Sequence, residues 1–249
     1  MKYVSKQTSV FFSPLLIIAF TLAPQAFSKS KYAPETLRAI DDHKYLQKNH
    51  APDFWAMIFH YVPQGENMCQ TASMAAIFNA LKNKQDLDSE TKNITQADIV
   101  AKVNDPEWIQ AMKDHKCFSM DRFSEVLKKA LNIYFPDQYQ VKVIHVDSLE
   151  KGAINGYLSD FTENEKTDQD FIIANFDQAV FTGESEPAGH ISPIAAYDKT
   201  SQKVLVLDVD REWYTPYWVS TETFFKGMNT QDKGVSKARG YIVVSQIKR

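Results

Sequence analysis

A thiol, an imidazole and a carboxylate from separate parts of a 249-residue chain are the side chains best suited to chemistry. Cys69 stands where the turn Pro63-Gln64-Gly65-Glu66-Asn67 runs into Cys69-Gln70-Thr71-Ala72-Ser73-Met74-Ala75-Ala76-Ile77-Phe78-Asn79-Ala80-Leu81. Apolar residues at 74, 77, 78 and 81 follow helical spacing, which puts Cys69 in the first turn of a helix with one buried face. Unpaired N–H groups and the helix dipole there favour an anion, so a thiol at that place is more readily ionised. A small buried hydrophobe would occupy the position equally well, and the partners decide between the two.

A cysteine nucleophile needs a base, and the base needs an orienting acceptor. The apolar runs Ile191 to Tyr197 and Lys203 to Val209 flank Asp198-Lys199-Thr200-Ser201-Gln202. Read as a hairpin with that five-residue loop, Tyr197 opposes Lys203 and Ser192 opposes Asp208. His190 then shares a face with Asp208, at a diagonal separation of roughly 7–8 Å between α-carbons. His43, His50 and His60 have no following strand, and His115 and His145 lack a similarly placed carboxylate. A Gly-x-Ser-x-Gly nucleophile elbow, a phosphate loop and the tight His/Cys spacing of a metal site are absent.

The elements around these residues change character along the chain. Ser30 to His60 is mixed and loosely helical, and Lys82 to Asn104 is polar with a short helix over Gln96–Val103. Phe123, Val126, Leu127 and Leu131 mark another helix, and Tyr139 to Val146 alternates as a strand. Asp160 to Asp170 is acidic and reads as a solvated loop. Strands follow at Phe171 to Phe176, His190 to Tyr197, Lys203 to Val209 and Gly240 to Gln246, with a helix capped by Ser220 running to Met228. A helical first half before a strand-rich antiparallel second half predicts an α+β fold.

Composition bounds the rest. With 44% hydrophobic and 24% charged residues the chain is of globular type, and its charge of −3 gives no reason to expect nucleic acid or an anionic membrane as partner. Two cysteines, Cys69 and Cys117, are too few for a disulfide scaffold or a four-Cys zinc site. The N-terminus has a basic start, an apolar run from Val10 to Leu22 broken by Pro14, and the small-residue exit Ala26-Phe27-Ser28. That describes a cleaved secretory signal over residues 1–28, with 29–249 as one exported domain, periplasmic or secreted, and no membrane partner after cleavage. Cys117 would then be a packed thiol, a metal-thiolate contact or a disulfide partner of Cys69.

Several stretches together resemble the catalytic domain of phytochelatin synthases. They are Gln64-Gly65-Glu66-Asn67-Met68-Cys69, Phe78-Asn79-Ala80-Leu81, Gly189-His190-Ile191-Ser192-Pro193-Ile194, Leu205-Val206-Leu207-Asp208-Val209 and Arg239-Gly240-Tyr241. Tyr214-Thr215-Pro216-Tyr217-Trp218-Val219 aligns with a stretch that the family shows as Tyr-Pro-Pro-His-Trp-Val. The correspondence runs in order from about Pro63 to Gln246.

The resemblance implies a papain-like cysteine peptidase fold acting on glutathione, with Cys69 as nucleophile, His190 as base, Asp208 as orienting acid and Gln64 in the oxyanion hole. Attack on the Cys–Gly amide would release glycine and leave a γ-glutamylcysteinyl thioester. Water would then give γ-glutamylcysteine, and a second glutathione would give a phytochelatin. Arg211 and Arg239 match arginines of the family pattern and suit the substrate's carboxylates, with Gly189 beside the base as a further substrate-binding position.

No bound cofactor is implied; cadmium or zinc would enter as the thiolate complex of the substrate, and a homodimer is compatible with the pattern. The long eukaryotic members carry a further Cys-rich domain, whereas short bacterial members are associated more with hydrolysis. Two departures stand out. Gln64 is five residues before Cys69 where the family has six, and Gln70 follows the Cys where the family has Gly, which predicts crowding of the oxyanion donor. A non-catalytic binder of glutathione or metal thiolates, and a papain-like peptidase of other specificity, are the competing readings.

Overall fold

A computed structural model describes residues 31–65, 68–83, 87–116, 118–232 and 235–247. The proposed signal segment 1–28 and Cys117 lie outside the described residues. Helices dominate the first part: after the short strand β1 (Leu37–Arg38) come α1 (Lys44–Lys48), α2 (Pro52–Met57), α3 (Cys69–Lys82), α4 (Gln96–Val103), α5 (Pro106–Lys113) and α6 (Met120–Tyr134). Then follow β2 (Tyr139–His145), α7 (Lys151–Asn164), β3 (Asp170–Asp177), α8 (Ala179–Thr182), β4 (Gly189–Asp198), β5 (Lys203–Val206), β6 (Tyr217–Ser220), α9 (Thr221–Met228) and β7 (Gly240–Gln246).

The seven strands form one antiparallel sheet in the order β1-β6-β5-β4-β3-β7-β2, so the chain is α+β as the sequence predicts. Apolar clusters cover both faces of the sheet. One joins α3, α4 and α6 to Phe171, Ile173, Ile191, Leu205, Leu207 and Val209. The other joins α8 and α9 to Ile172, Phe176, Ile194, Val206 and Tyr217. Helix α3 is buried all round from Cys69 to Leu81, not on one face. Its alanines and small polar residues fill what would be the solvent side, so it is a central helix enclosed by neighbours.

The hairpin between β4 and β5 differs from the expected one in an instructive way. Asp198 pairs with Lys203 and Tyr197 with Val204, so the loop has four residues and the register near the turn is one residue off the predicted one. A β-bulge between Ile194 and Ala196 then inserts one extra residue into β4. Beyond the bulge Ile194 opposes Val206, and the Leu207 N–H donates to the Pro193 carbonyl at 3.0 Å. The bulge thus restores the predicted pairing at the end of the hairpin that carries His190 and Asp208.

Asp160 to Asn164 is the last turn of α7 and not a solvated loop. Gly152 and Gly156, both poor helix formers, hide the helix from a propensity reading. Phe161 is buried, and the Asn164 side chain donates to the Asp170 carbonyl at 2.8 Å, which locks the helix to the start of β3. Among the described residues no helix is long and apolar enough to cross a membrane.

Gly240 opens β7 against the end of β2, and a Cβ there would collide with the Ile144 carbonyl oxygen and the His145 backbone. The obstacle is main chain, which has no rotamer to yield. Gly240→Ala is therefore expected to destabilise the fold by roughly 3 kcal/mol or more, read as a fall in the urea midpoint.

Candidate active site

The carboxylate of Asp208 has no exposed surface, and it sits in a ring of donors. His190 Nε2 meets its Oδ1 at 2.7 Å, and the Asp210 backbone N–H donates to the same oxygen at 3.0 Å. The Tyr217 hydroxyl donates to Oδ2 at 2.7 Å and Gln178 Nε2 to Oδ2 at 3.0 Å. The Tyr61 hydroxyl donates to the Asp208 main-chain carbonyl. Burial alone would push this carboxyl up. The His190 imidazole, followed by the hydrogen bonds from His190, Tyr217 and Asp210, outweighs it and holds Asp208 below the ordinary carboxylate range. The same burial, with the Asp208 charge and hydrogen bond, pushes the Tyr217 phenol well above its ordinary value, so it stays a donor.

A carboxylate facing Nε2 fixes the imidazole tautomer: Nε2 carries the proton, and Nδ1 is the basic nitrogen. The ring is held edge-on against Phe176, with centroids 5.6 Å apart. His190 and Asp208 are thus brought together as the sequence predicts. Tyr61, Gln178 and Tyr217 are not foreseen as their partners. Tyr217 carried a signal, since it replaces a His of the resembling stretch; Gln178 and Tyr61 carried none, because they arrive from other elements.

Cys69 is the first residue of α3 and 3% exposed. One turn on, Ser73 Oγ lies 3.2 Å from the Ile191 carbonyl, which ties this helix to the residue after His190. Cys69 shares its buried cluster with Ile191, Leu207 and Val209, the sequence neighbours of His190 and Asp208. From the other side, the Gln64 N–H donates to the Val209 carbonyl at 2.8 Å, so the loop leading to Cys69 starts beside Asp208. The Gln64 Oε1 atom is buried and has no hydrogen-bond partner.

The expected crowding by Gln70 does not occur. Its side chain turns away to α5 and the segment before α6, accepting from Trp108 Nε1 at 3.0 Å and donating to the Phe118 carbonyl at 3.2 Å. The amide is used as a structural bridge.

The two arginines lie in different surroundings. Arg239 is 3% exposed; Nη1 donates to Thr230 Oγ1 at 2.6 Å and to the Gln231 carbonyl at 2.7 Å, while Nε is buried without an acceptor. Its Nη2 lies 3.0 Å from where a Cβ on Gly189 would stand, so the residue before His190 is open to the guanidinium because it is glycine. Arg211 is exposed; Nη1 donates to the Tyr61 carbonyl at 2.6 Å and the guanidinium covers the Tyr61 ring at 4.4 Å.

His145 has no carboxylate on a paired strand, as the sequence predicts, but it meets one from a helix. Its Nε2 is 3.0 Å from Asp121 Oδ1 and its Nδ1 is 2.6 Å from the Ala238 carbonyl. The partner comes from α6, not from a neighbouring strand, and the sequence pattern did not predict it. Among the described residues no group of three or more His, Cys, Asp or Glu could hold a metal ion.

Comparison with known proteins places the chain among relatives by sequence. A family model described as phytochelatin synthase matches residues 42–241. Over 68 residues, 27% of this chain, the sequence is 43% identical to glutathione gamma-glutamylcysteinyltransferase 3 of Lotus japonicus, covering 13% of that protein. It is 36% identical over 56 residues to the glutathione gamma-glutamylcysteinyltransferase of Schizosaccharomyces pombe, 22% of this chain and 14% of that one. To glutathione gamma-glutamylcysteinyltransferase 1 of Triticum aestivum it is 28% identical over 97 residues, 39% of this chain and 19% of the relative. The alignments therefore span less than a fifth of each relative's length.

Because the native Asp208 carboxyl titrates below its unfolded value, its stabilising effect is present above about pH 4 and is lost as pH falls through the lowered native value. Tyr217→Phe removes one donor to the charged form. It is expected to cost about 2 kcal/mol at neutral pH, with the gap to wild type closing in acid; urea unfolding of both proteins across the acid range checks this.

Proposed function

Because the chain belongs to the phytochelatin synthase family, we propose that it cleaves the Cys–Gly amide of glutathione through a thioester on Cys69, on a papain-like cysteine peptidase scaffold. The observation that carries this reading is the buried His190–Asp208 pair at 2.7 Å, at the start of the strand to which the Cys69 helix is tied.

In the reaction, Asp208 holds the Nε2 proton of His190, and Nδ1 accepts the Cys69 proton. The helix N-terminus stabilises the resulting thiolate. Sulfur adds to the Cys–Gly carbonyl carbon, and the oxyanion is met by the Cys69 backbone N–H and the Gln64 side-chain amide. One such donor is worth about 3–4 kcal/mol in the transition state. The His190 imidazolium returns the proton to the glycine nitrogen, the C–N bond breaks, and glycine leaves. Water activated by His190 then releases γ-glutamylcysteine and restores the thiol. The amine of a second glutathione, attacking in place of water, lengthens the chain by one γ-glutamylcysteine unit.

Arg239 suits a carboxylate of the substrate, because its guanidinium packs against Gly189, the residue before His190, with Nε unclaimed. Arg211 offers a second carboxylate the edge that Tyr61 does not use. Cadmium or zinc enters as the thiolate complex of glutathione, which makes metal detoxification the role this activity would serve. The basic, apolar and small-residue order of residues 1–28 supports export to the periplasm or beyond.

The test is mass spectrometry of the products formed by reduced protein and glutathione, with and without cadmium, beside Cys69→Ala. Wild type is expected to give glycine and γ-glutamylcysteine, and Cys69→Ala to lose at least about 10³-fold in rate. Longer γ-glutamylcysteine polymers appearing only with metal would assign it transfer as well as hydrolysis. Glycine release by Cys69→Ala at the wild-type rate would sink the mechanism.

A further inference from the structure

The loop that carries Gln64 is held by a side-chain amide as well as by main-chain bonds. Gln96, the first residue of α4, lays its amide along Pro63-Gln64-Gly65: Nε2 donates to the Pro63 carbonyl at 2.9 Å, and Oε1 accepts from the Gly65 N–H at 3.1 Å. The two contacts bracket Gln64 as a paired strand would. With the Gln64 N–H on the Val209 carbonyl and the Met68 N–H on the Gly65 carbonyl at 3.0 Å, the backbone is fixed on both sides.

Gln96 is itself fixed to the helix that begins at Cys69. Asn79 of α3 donates to the Ile94 carbonyl at 2.8 Å and accepts from the Ile94 N–H at 2.7 Å. Thr95 then caps α4 reciprocally with Asp98. Ile99 and Val103 bury the helix against the same core as α3. Two amide bridges in series, Asn79 on Ile94 and Gln96 on Pro63 and Gly65, therefore fix the place of Gln64 relative to Cys69.

We propose that Gln96, backed by Asn79, is a positioning residue that sets the Gln64 amide where the oxyanion forms, an inference that rests on the reading of Cys69 and Gln64 given above. Such a device has a physical reason. An oxyanion donor is effective only when it is already in place as charge develops, and Gln64 sits on a turn outside any helix or strand. An alternative role, simple support of the fold, would lower stability without singling out the acylation step.

The experiment is a double-mutant cycle of Gln96→Ala and Gln64→Ala on glutathione turnover, with thermal midpoints for each protein and the Gln64 side-chain amide resonance followed by NMR. Gln96→Ala is expected to lower kcat about 10–100-fold, a part of the 10²–10³ that one donor supplies, with KM changed less than about threefold. The double variant is expected to be no slower than Gln64→Ala alone, because the clamp acts only through Gln64. The Gln64 side-chain resonance is expected to shift or broaden in Gln96→Ala.

If Gln96→Ala is too unstable to assay, Gln96→Glu keeps the acceptor for Gly65 and replaces the donor to Pro63 by an oxygen that repels the carbonyl, and the same non-additivity is expected. Losses that add, or an unchanged kcat in folded Gln96→Ala, would overturn the proposal. A wild-type protein that does not turn over glutathione would instead overturn the functional reading. In that event a changed Gln64 resonance in Gln96→Ala still upholds the clamp, and an unchanged one removes it too.

Discussion

A fully buried carboxylate is costly to keep charged unless donors surround it, and Asp208 is such a group. Its two oxygens are met by His190, the Asp210 backbone, Tyr217 and Gln178, from four different stretches of chain. The Asp210 bond is local, but His190, Tyr217 and Gln178 reach Asp208 only once the sheet has closed in its native order. The charge on Asp208 in turn fixes which nitrogen of His190 bears a proton. The tautomer of His190 therefore depends on the burial of one side chain just beyond β5.

The same closure places Cys69. Helix α3 is enclosed on all sides, and the Ser73–Ile191 and Gln64–Val209 contacts tie it and the loop before it to the sequence neighbours of His190 and Asp208. An enclosed helix has little freedom to rotate, because the packing around it is as dense as an organic crystal. The chemistry of the site thus rests on rigid elements, and the one loop residue involved, Gln64, is pinned by bonds from Gln96 and Val209.

The β4–β5 hairpin shows how sequence and structure divide the work. Two apolar runs and a turn rich in Asp, Lys, Thr and Ser announce the hairpin, and His190 and Asp208 are legible as a pair. The loop is one residue shorter than the five that the sequence predicts, and a bulge at Ala195 offsets that difference before the site is reached. Bulges have no strong local signature, since the extra residue is accommodated by the neighbouring strands. Helix α7 was hidden for a related reason: its two glycines weaken the local signal, while Phe161 and Asn164 hold it through contacts made far away in sequence.

What the sequence determined by itself is what depends on residue type and short-range spacing: the helix that starts at Cys69, the strands of the second half, the cap at Ser220, and the pairing of His190 with Asp208. What only the tertiary structure decided is how those groups are kept in their working states. Tyr217 and Gln178 on Asp208, Gln70 turned to Trp108, Arg211 laid over Tyr61, and Gln96 on the Gln64 loop join residues 9 to 150 positions apart. Periodicity has no reach over such separations. A hydrogen-bond donor is indifferent to where in the chain its acceptor lies, so only the folded geometry names the pair.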